Sequence, residues 1–570
     1  MNPVQKRILL ALTLLAATTR LLAAAASLWD WDEALFALAV RDYDVTRHHP
    51  HPPGYPLFIA AGKLVHLFVA DEFRALQVVV ILAACALLPL LFALARELGF
   101  SFATSVSAAT LFAFLPNVWV YGGTAFSDVP AVAAGLAACT LLLRGRRDPR
   151  AFVLGAIVLG LAAGIRLPNL LLGATPALLA TWSRVRARQY GVVMLAMLLG
   201  ALTVAACYLG AAVASTTVPQ FLEALREQSA WVREVDSWRN PQRPPLREMA
   251  ELFWFKPVAN RWLNRTIAIL GAVSVLAAMI RRRVEVLQLF LLFGPLAVMA
   301  WLTLDFTSVS RYAIAYMPAH AIVAADGMGV LARRFQPLLA SMLILWSAIW
   351  TFPAIREQRA HPAPPVAAFE YALRSTPPST ILYVNDGLGP HAELLLGDRR
   401  RNFFQPHRPV STIGGDGVVI DYRRGAVNFE RQRGRLWDIV RQRNFEASVT
   451  PVRSPLRWGH GWYGVENEPE KSFRWMSGEA TVTLSHLEPA GTLSIGFSVP
   501  AGTRPQVDLF WNDALVERFR VNEPRIEKEY RLASRPGGNE LRIRTSETVQ
   551  PGHGDTRPLG LRFDEMAWTR

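Results

Sequence analysis

The sequence predicts a polytopic α-helical membrane bundle followed by a soluble domain that ends in an antiparallel β-sandwich. Three observations predict this fold class. Charged residues make up only 18% of the chain and hydrophobic residues 52%, whereas soluble domains are about a quarter charged. Residues 1–354 contain apolar runs that approach the ~20 residues needed to cross a bilayer. Residues 355–570 lack such runs, and their last part alternates apolar and polar residues as half-buried strands do.

About eleven transmembrane helices are expected in residues 1–354. Residues 55–70 are left out because Lys63 and His66 lie in the middle of this apolar segment, which has only ~16 residues. We expect this segment to lie in the membrane interface or to re-enter. The predicted spans are residues 8–27, 75–94, 102–121, 129–143, 151–165, 168–183, 191–214, 266–281, 286–303, 312–330 and 336–354.

The positions of the basic residues predict the topology of these spans. Lys6 and Arg7 precede the first span, and the arginine clusters at 144–150, 184–188, 281–283 and 333–334 all fall on the same side. Positive charge marks the cytoplasmic side. We therefore expect a multi-pass protein of the cytoplasmic (inner) membrane with its N-terminus in the cytoplasm. With an odd number of spans, the C-terminal domain is extracytoplasmic or periplasmic.

The formal net charge of +15 does not by itself indicate a nucleic-acid partner. Much of the arginine lies in short loops between apolar runs, where membrane topology accounts for it. Residues 422–443 of the C-terminal domain are also rich in arginine. A solvated or headgroup-facing surface explains this stretch better than nucleic-acid binding does. The predicted partners therefore include the lipid bilayer and exclude nucleic acid.

The loop after the first span is the part of the sequence that says most about function. Asp30, Asp32 and Glu33 lie just beyond the hydrocarbon edge between two tryptophans that suit the membrane interface. Carboxylates at this depth are either solvated at a helix end, or paired, bound to a cation or used in chemistry. Residues 33–43 have an amphipathic helical pattern, and a helix N-terminus stabilises ionised carboxylates. An ionised carboxylate is what a general base requires.

The same loop continues with the histidine- and proline-rich run HHPHPPGYP. Its prolines fix the backbone and exclude a helix. His48, His49 and His51 do not have a regular metal-ligand spacing, so a zinc site is not completed by the sequence. The run therefore indicates a rigid segment after the predicted interfacial helix.

Further polar residues lie at the same predicted membrane face. Asp128 begins the fourth span, where the preceding Ser127 offers the alternative of simple helix capping. Arg166 separates two short apolar runs and either binds an anion or extends its side chain to the headgroups. Arg311 and Tyr312 begin a later span, and arginine recognises phosphate through a bidentate fork.

The carboxylate pair after the first span, the helix that follows it and the H-P-P segment resemble the GT-C superfamily of glycosyltransferases. The resemblance is closest to the branch of protein O-mannosyltransferases and the aminoarabinose lipid A transferase. It implies transfer of a sugar from a polyprenyl-phosphate carrier, with Asp32 as general base. It further implies that Glu33 and Asp128 orient the base or hold a divalent cation. No cofactor is certain, and if a cation (Mg or Mn) is used, Asp32 and Asp128 are its predicted ligands.

The resemblance also assigns the substrate-binding side chains and the partners. The side chains expected to bind substrate are Arg311, Arg166, His51, Tyr55 and Tyr312. The expected partners are a polyprenyl-phosphate sugar as donor and a glycan, lipid or protein as acceptor. Two alternatives remain open, which are a transporter or flippase of lipid-linked glycans and a membrane-anchored glycan-binding protein without catalysis.

The soluble part is predicted to have two regions. Residues 355–455 are α/β-like, with a helix over 365–374 and a strand at TILYVND. Residues 456–570 form the β-sandwich, with strands at ATVTLSHL, TLSIGFSV, QVDLFW, EYRL and ELRIRT. The aromatic residues Trp462, Tyr463 and Trp475 either stack on sugar faces or pack within the domain.

Overall fold

The computed structural model describes residues 1–485, 487–552 and 555–569, and the chain divides into two compact units. The first unit comprises Met1–Ala363 and the later segment Gln432–Gln442, and the second comprises Pro364–Arg431 and Arg443–Arg570. The predicted boundary at residue 354 falls inside a helix of the first unit. Residues on both sides of the other predicted boundary, at 455, belong to the second unit.

The first unit is built from α-helices, and the described residues of the second unit form two further α-helices. The helices of the first unit before its end at Ala363 are α1 (Pro3–Leu22), α2 (Trp31–Arg41), α3 (Pro56–His66), α4 (Glu72–Glu97), α5 (Phe102–Phe114), α6 (Pro116–Tyr121), α7 (Asp128–Arg144), α8 (Pro149–Ile165), α9 (Asn169–Arg186), α10 (Tyr190–Ser215), α11 (Val218–Trp231), α12 (Leu246–Ala250), α13 (Arg261–Arg281), α14 (Val284–Thr303), α15 (Val309–Tyr312), α16 (Met317–Ala332) and α17 (Gln336–Ala360). Helices α18 (Pro364–Ser375) and α19 (Gly389–Leu396) lie in the second unit, and α20 (Arg435–Ile439) lies in the segment Gln432–Gln442.

Short helical turns connect several of these elements. The 3-10 turns are Val45–Arg47, Phe306–Ser308, Ala313–Ala315, Arg333–Phe335, Asp386–Leu388 and Gln442–Phe445, and the π-helical turns are Val232–Asp236 and Glu251–Phe255.

Every predicted span overlaps a helix of the first unit. The span predicted over 102–121 is interrupted between α5 and α6, where Leu115 adopts an extended backbone. Pro116 follows Leu115, and the proline ring disfavours the helical conformation at the residue before it. Among the residues that the structure describes, five helical stretches are long and apolar enough to cross a membrane by length and composition, namely Glu72–Glu97, Tyr190–Ser215, Arg261–Arg281, Val284–Thr303 and Met317–Ser375. The first unit is therefore that of a multi-pass membrane protein.

Helix α2 was predicted from its amphipathic pattern and is present, but it does not expose one face. Residues 33–40 of α2 are all buried, and the helix packs against α3 and α4. A periodic pattern identifies the apolar stripe of a helix, whereas it says nothing about neighbours that cover the polar side. The short helix α3 has 11 residues, about 16 Å in length, and a bilayer core measures ~30 Å.

The described residues of the second unit form three five-stranded sheets. Its strands are β1 (Ile381–Asn385), β2 (Arg401–Phe404), β3 (Gly417–Asp421), β4 (Val427–Glu430), β5 (Glu446–Val452), β6 (Leu456–Trp458), β7 (Trp462–Glu468), β8 (Lys471–Met476), β9 (Glu479–Leu484), β10 (Ala490–Ser498), β11 (Gln506–Trp511), β12 (Ala514–Arg520), β13 (Arg525–Ala533), β14 (Asn539–Thr545) and β15 (Arg562–Thr569). The sheet orders are β2-β1-β3-β5-β4, β13-β10-β15-β8-β7 and β12-β11-β14-β9-β6.

The first of these sheets matches the predicted α/β region. Strand β1 pairs parallel with β2 and β3, whereas β5 pairs antiparallel with β3 and β4. Helices α18 and α19 contribute buried side chains to the core under this sheet, including Phe369 and Leu396. The predicted helix over 365–374 corresponds to α18.

The other two sheets are antiparallel and share one hydrophobic core. Alternate residues of β9, from Ala480 to Leu484, are buried, as are Leu493, Ile495 and Phe497 of β10. Side chains of a strand point alternately to its two faces, so this pattern places one face of each sheet against the common core. The predicted strand runs correspond to β9, β10, β11, β13 and β14, and His486 of the run ATVTLSHL lies outside the described residues. The β-rich end of the chain is confirmed.

Candidate active site

Asp32 is placed by a capping box at the start of α2. Asp30 is the N-cap of this helix, and its side chain accepts a hydrogen bond from the Asp32 backbone nitrogen at 3.3 Å. The Glu33 side chain accepts a hydrogen bond from the N-cap backbone nitrogen, which completes the capping box of the pattern D-x-x-E. Asp32 is therefore held on the first helical turn, where the helix dipole favours a negative charge.

Glu33 connects the loop before α2 to the loop before α7. Its Oε2 accepts from the backbone nitrogens of Trp29, at 2.7 Å, and Asp30, at 3.1 Å. Its Oε1 accepts from the backbone nitrogen of Ala125 at 2.9 Å. Burial raises the pKa of Glu33 to about 7, so the expectation that the helix terminus keeps both carboxylates strongly ionised is wrong for this residue. Its contacts tie the two loops together.

The two loops approach closely because residue 123 is a glycine. A Cβ atom on Gly123 would lie 1.8 Å from the carbonyl oxygen of Ala23, a separation that no side chain tolerates. The Gly123 carbonyl oxygen in turn accepts from the backbone nitrogen of Ala25 at 2.9 Å and from Nε2 of Gln77 at 2.8 Å. These backbone contacts position the loop that leads to Asp128.

Arg311 forms the centre of the site. Its Nη1 lies 2.7 Å from Oδ2 of Asp32, and its Nη2 donates to the Tyr312 hydroxyl at 2.7 Å. The guanidinium packs over the rings of Phe126 and Tyr312, at 4.5 and 4.6 Å from their centroids. Only 6% of the Arg311 side chain is exposed. The structure therefore brings together Asp32, Arg311 and Tyr312, which the sequence assigned to one site from distant positions.

One donor of Arg311 has no hydrogen-bond partner among the described residues. This donor is Nε, and the carboxylate oxygen Oδ2 of Asp128 lies 3.9 Å from it. Asp128 itself forms an ion pair with Arg166 through its other oxygen. Arg166 lies over the ring of Tyr312, with its guanidinium carbon 5.8 Å from the ring centroid. Two arginines and two aspartates therefore form a charge-balanced group.

Burial acts on the pKa of Asp32 in the direction opposite to its basic neighbours. Burial alone would raise this pKa, but the positive charge of Arg311 outweighs it and holds the pKa of Asp32 well below its usual range. Asp32 is therefore ionised, and its negative charge is balanced by Arg311.

His51 and Tyr55 line the other side of Asp32. Nδ1 of His51 lies 4.0 Å from Oδ1 of Asp32, and its Nε2 is 2.8 Å from the Tyr55 hydroxyl. Phe36 of α2 packs against the rings of both residues. Burial lowers the pKa of His51, so the imidazole is neutral at pH 7. His51 and Tyr55 are therefore polar but mostly uncharged neighbours of Asp32.

The sequence reasoning missed Arg441, which reaches the site from the segment Gln432–Gln442. Its Nη2 lies 3.0 Å from Oδ2 of Asp305, and its Nη1 lies 4.0 Å from Oδ1 of Asp30. Its carbonyl oxygen accepts from Nε1 of Trp29 at 3.2 Å. Residues 422–443 were interpreted as a solvated or headgroup-facing surface. No local signal separates Arg441 from the other arginines of that stretch.

The segment between α10 and α13 also contributes to this end of the unit. Arg243 donates to the carbonyl oxygens of Trp301, Leu302 and Leu304 at 2.8 to 2.9 Å, which satisfies the carboxyl end of α14 just before Asp305. Burial, followed by the nearby carboxylate of Asp305, raises the pKa of Asp236 to about 6.

The carboxylates of the site are paired with arginines and are not grouped as the ligands of a metal ion would be. Within residues 1–485, 487–552 and 555–569, no group of three or more His, Cys, Asp or Glu side chains is arranged to hold a metal ion. Asp32 and Asp128 each face an arginine instead. The residues present therefore do not fit a divalent cation in this arrangement, and no chemical step is assigned to one.

Comparisons with known proteins add a family match. Residues 45–189 match the family model described as "Protein O-mannosyl-transferase TMEM260 N-terminal domain". The matched range contains His51, Tyr55, Asp128 and Arg166. The match confirms, for this region of the chain, the resemblance to protein O-mannosyltransferases. No curated protein sequence matches the chain.

Solved structures of three glycosyltransferases are similar to this chain at low sequence identity. ArnT from Cupriavidus metallidurans bound to undecaprenyl phosphate has 12% identity, with 74% of this chain and 93% of that chain covered and a TM-score of 0.48. The oligosaccharyltransferase of Archaeoglobus fulgidus has 11% identity, 99% and 98% coverage and a TM-score of 0.44. The arabinosyltransferase EmbB of Mycobacterium smegmatis has 13% identity, 100% and 64% coverage and a TM-score of 0.42.

Proposed function

We propose that this protein transfers a sugar from a polyprenyl-phosphate carrier to a hydroxyl acceptor, and that the reaction takes place at Asp32 and Arg311. The observation that carries the proposal is the ion pair between the buried Arg311 and the partly exposed Asp32, in which the arginine retains an unused donor. A partly exposed carboxylate next to a buried arginine supplies a proton acceptor and a binding group for an anion within one site.

Donor binding begins with an exchange of partners at Arg311. The phosphate of the donor competes with Asp32 for the guanidinium, because phosphate and carboxylate suit the same fork of donors. Nε, which has no partner among the described residues, becomes part of this interaction. As the phosphate takes over Arg311, the pKa of Asp32 rises, because the charge that lowers it most is now neutralised. The donor thereby turns a weak base into a stronger one.

The transfer itself is a single displacement. Asp32 takes the proton of the acceptor hydroxyl, and the resulting oxygen forms a bond to the anomeric carbon of the sugar. The bond between that carbon and the phosphate oxygen breaks, and its electron pair leaves with the polyprenyl phosphate. A single displacement inverts the anomeric configuration. Arg311 stabilises the departing phosphate, so no general acid is needed.

The remaining side chains hold these groups in place. Asp128, which is paired with Arg166, lies 3.9 Å from the Arg311 guanidinium, and both arginines pack on the Tyr312 ring. Glu33 fixes the helix turn that carries Asp32 through its three backbone hydrogen bonds. His51 and Tyr55 bind substrate beside Asp32. A divalent cation at Asp32 and Asp128 is not needed for any of these roles.

The location of the reaction follows from the proposed topology. We place the loops that carry the site on the extracytoplasmic side of the cytoplasmic membrane, with eleven spans, a cytoplasmic N-terminus and the second unit outside. The two antiparallel sheets of that unit then form an extracytoplasmic β-sandwich. The acceptor is a glycan, lipid or protein hydroxyl that is available on that side.

The experiment supplies purified protein in lipid with a panel of polyprenyl-phosphate sugars and an acceptor extract from membranes, and it measures both sugar transferred to the acceptor and free polyprenyl phosphate. We expect transfer from at least one lipid-linked sugar, with equal release of polyprenyl phosphate, and no transfer from the corresponding nucleotide sugars. Transfer from nucleotide sugars alone would refute the donor class. Movement of intact lipid-linked sugar across vesicles without release would favour the flippase alternative instead.

A further inference from the structure

We propose that the second unit contains a carbohydrate-binding cleft, separate from the site in the helical unit, that takes a neutral, polyhydroxylated sugar residue. The cleft lies between the sheet of β1–β5 and the sheet that contains β8, β13 and β15. Its volume is about 240 Å³, below the about 300–1,000 Å³ of pockets for drug-sized ligands. This size suits a small unit such as a single sugar residue.

The charged side chains of the cleft form a closed network of opposite charges. Arg408 contacts Glu527 at 2.5 Å and Glu565 at 3.2 Å. Lys471 lies 3.1 Å from Oδ2 of Asp564. Because each of these cations already has a carboxylate partner, a free anion gains little by binding here. The same pairing leaves the carboxylates poorly available to a metal ion.

Asp564 supplies an acceptor that the network does not use. Only 6% of its side chain is exposed, and its Oδ1 has no hydrogen-bond partner within the described part of the chain. A buried carboxylate oxygen without a donor costs free energy, so a ligand hydroxyl that donates to it is favoured. Oδ2 of the same carboxylate is held by Lys471 and Arg525. The unused oxygen therefore has a fixed orientation at the wall of the cleft.

Neutral hydrogen-bonding groups complete the lining. Asn402 and Ser472 bond to each other at 3.1 Å and line the cleft on one face of β2. The Phe403 ring points to the opposite face of this strand, toward the core of the first sheet. Sugar hydroxyls both donate and accept hydrogen bonds. Paired carboxylates and cations, an amide and a hydroxyl therefore match a sugar better than an apolar ligand.

The aromatic residues singled out in the sequence do not line this cleft. Trp462 packs against Trp458 at 4.7 Å and Phe563 at 5.3 Å, beside the hydrophobic core. The Tyr463 ring lies 5.2 Å from the guanidinium carbon of Arg557. Both rings therefore pack within the domain, and the proposed sugar contacts are made by the polar groups of the cleft.

The test measures saturation transfer by NMR from the full-length protein, held in a detergent without a sugar headgroup. The probes are methyl α-mannopyranoside, methyl β-galactopyranoside, N-acetylglucosamine and inorganic phosphate. We expect a signal from at least one sugar and none from phosphate. Asn402→Ala and Lys471→Gln are expected to reduce the sugar signal at least fivefold while the melting temperature shows that each variant is folded.

A control separates this cleft from the rest of the protein. Arg518→Gln removes a comparable exposed ion pair, with Asp508 at 2.7 Å, from a strand that does not line the cleft, and it should leave the sugar signal unchanged. The signal is measured without a lipid-linked donor, so the inference survives if the proposed transfer reaction fails. An absent sugar signal, an equal signal in the cleft variants, or a signal from phosphate alone would overturn the proposal.

Discussion

Replacing Asp32 by asparagine removes its negative charge and its ability to take a proton, with little change in shape. Arg311 lies 2.7 Å from Oδ2 of Asp32, and only 6% of the arginine side chain is exposed. The asparagine amide oxygen can still accept from this guanidinium, so the buried cation keeps a partner. We therefore expect Asp32→Asn to fold and to lose chemistry.

The expected loss follows from the role of the base. General-base catalysis contributes about 10²–10⁴-fold, so release of free polyprenyl phosphate should fall at least about a hundredfold in kcat. This corresponds to about 2.7 kcal/mol of transition-state stabilisation. Asp32→Ala differs in one respect, because it leaves the buried Arg311 without its closest carboxylate. Loss of one partner of a buried pair costs about 3–5 kcal/mol, so we expect this variant also to melt at a lower temperature.

The assay follows release from a polyprenyl-phosphate sugar, with thermal melting measured on the same samples. Asp42→Asn is the matched control, because Asp42 ends the same helix and pairs with Arg47 at 2.8 Å while 60% of its side chain is exposed. Exposed pairs contribute about 0–1 kcal/mol, so activity and melting should stay close to wild type. If folded Asp32→Asn keeps more than a tenth of the wild-type rate, Asp32 is not the general base.

The remaining predictions test the residues around Asp32. Arg311→Lys should raise the KM for the donor at least tenfold, because an ammonium cannot contact both Asp32 and the phosphate through a planar fork; an unchanged KM would contradict the assignment. Arg441→Gln loses the 3.0 Å pair with Asp305. A partly buried charged contact contributes ~1–2 kcal/mol, so kcat/KM should fall by roughly threefold to thirtyfold. Wild-type kinetics would show that Arg441 does not belong to the site. Burial raises the pKa of Glu33 from 4.5 to about 7, so the folded state binds the proton more tightly and thermal stability should fall as pH rises through this range. Melting curves across that range should show the decrease in wild type, and Glu33→Gln should not show it.

The sequence determined the features that depend on neighbours along the chain. The pattern Asp30-x-x-Glu33 sets a capping box, and that box alone fixes where α2 begins and where Asp32 lies on it. The long apolar runs similarly determined the helices of the first unit, because a bilayer requires every backbone group of a span to be satisfied within that helix. The period-2 alternation determined strands such as β9 and β11 in the same way.

Only the tertiary structure decided which charged residues meet. The pairing of Asp32 with Arg311, and the arrival of Arg441 from a segment between β4 and β5, depend on the packing of elements far apart in the chain. It also decided that Glu33 has a raised pKa although it shares a helix turn with Asp32. Local pattern fixes hydrogen bonds between near neighbours, whereas burial and ion pairing are set by whatever packs against a residue from elsewhere. For that reason two adjacent carboxylates of one motif have opposite electrostatic behaviour in the folded protein.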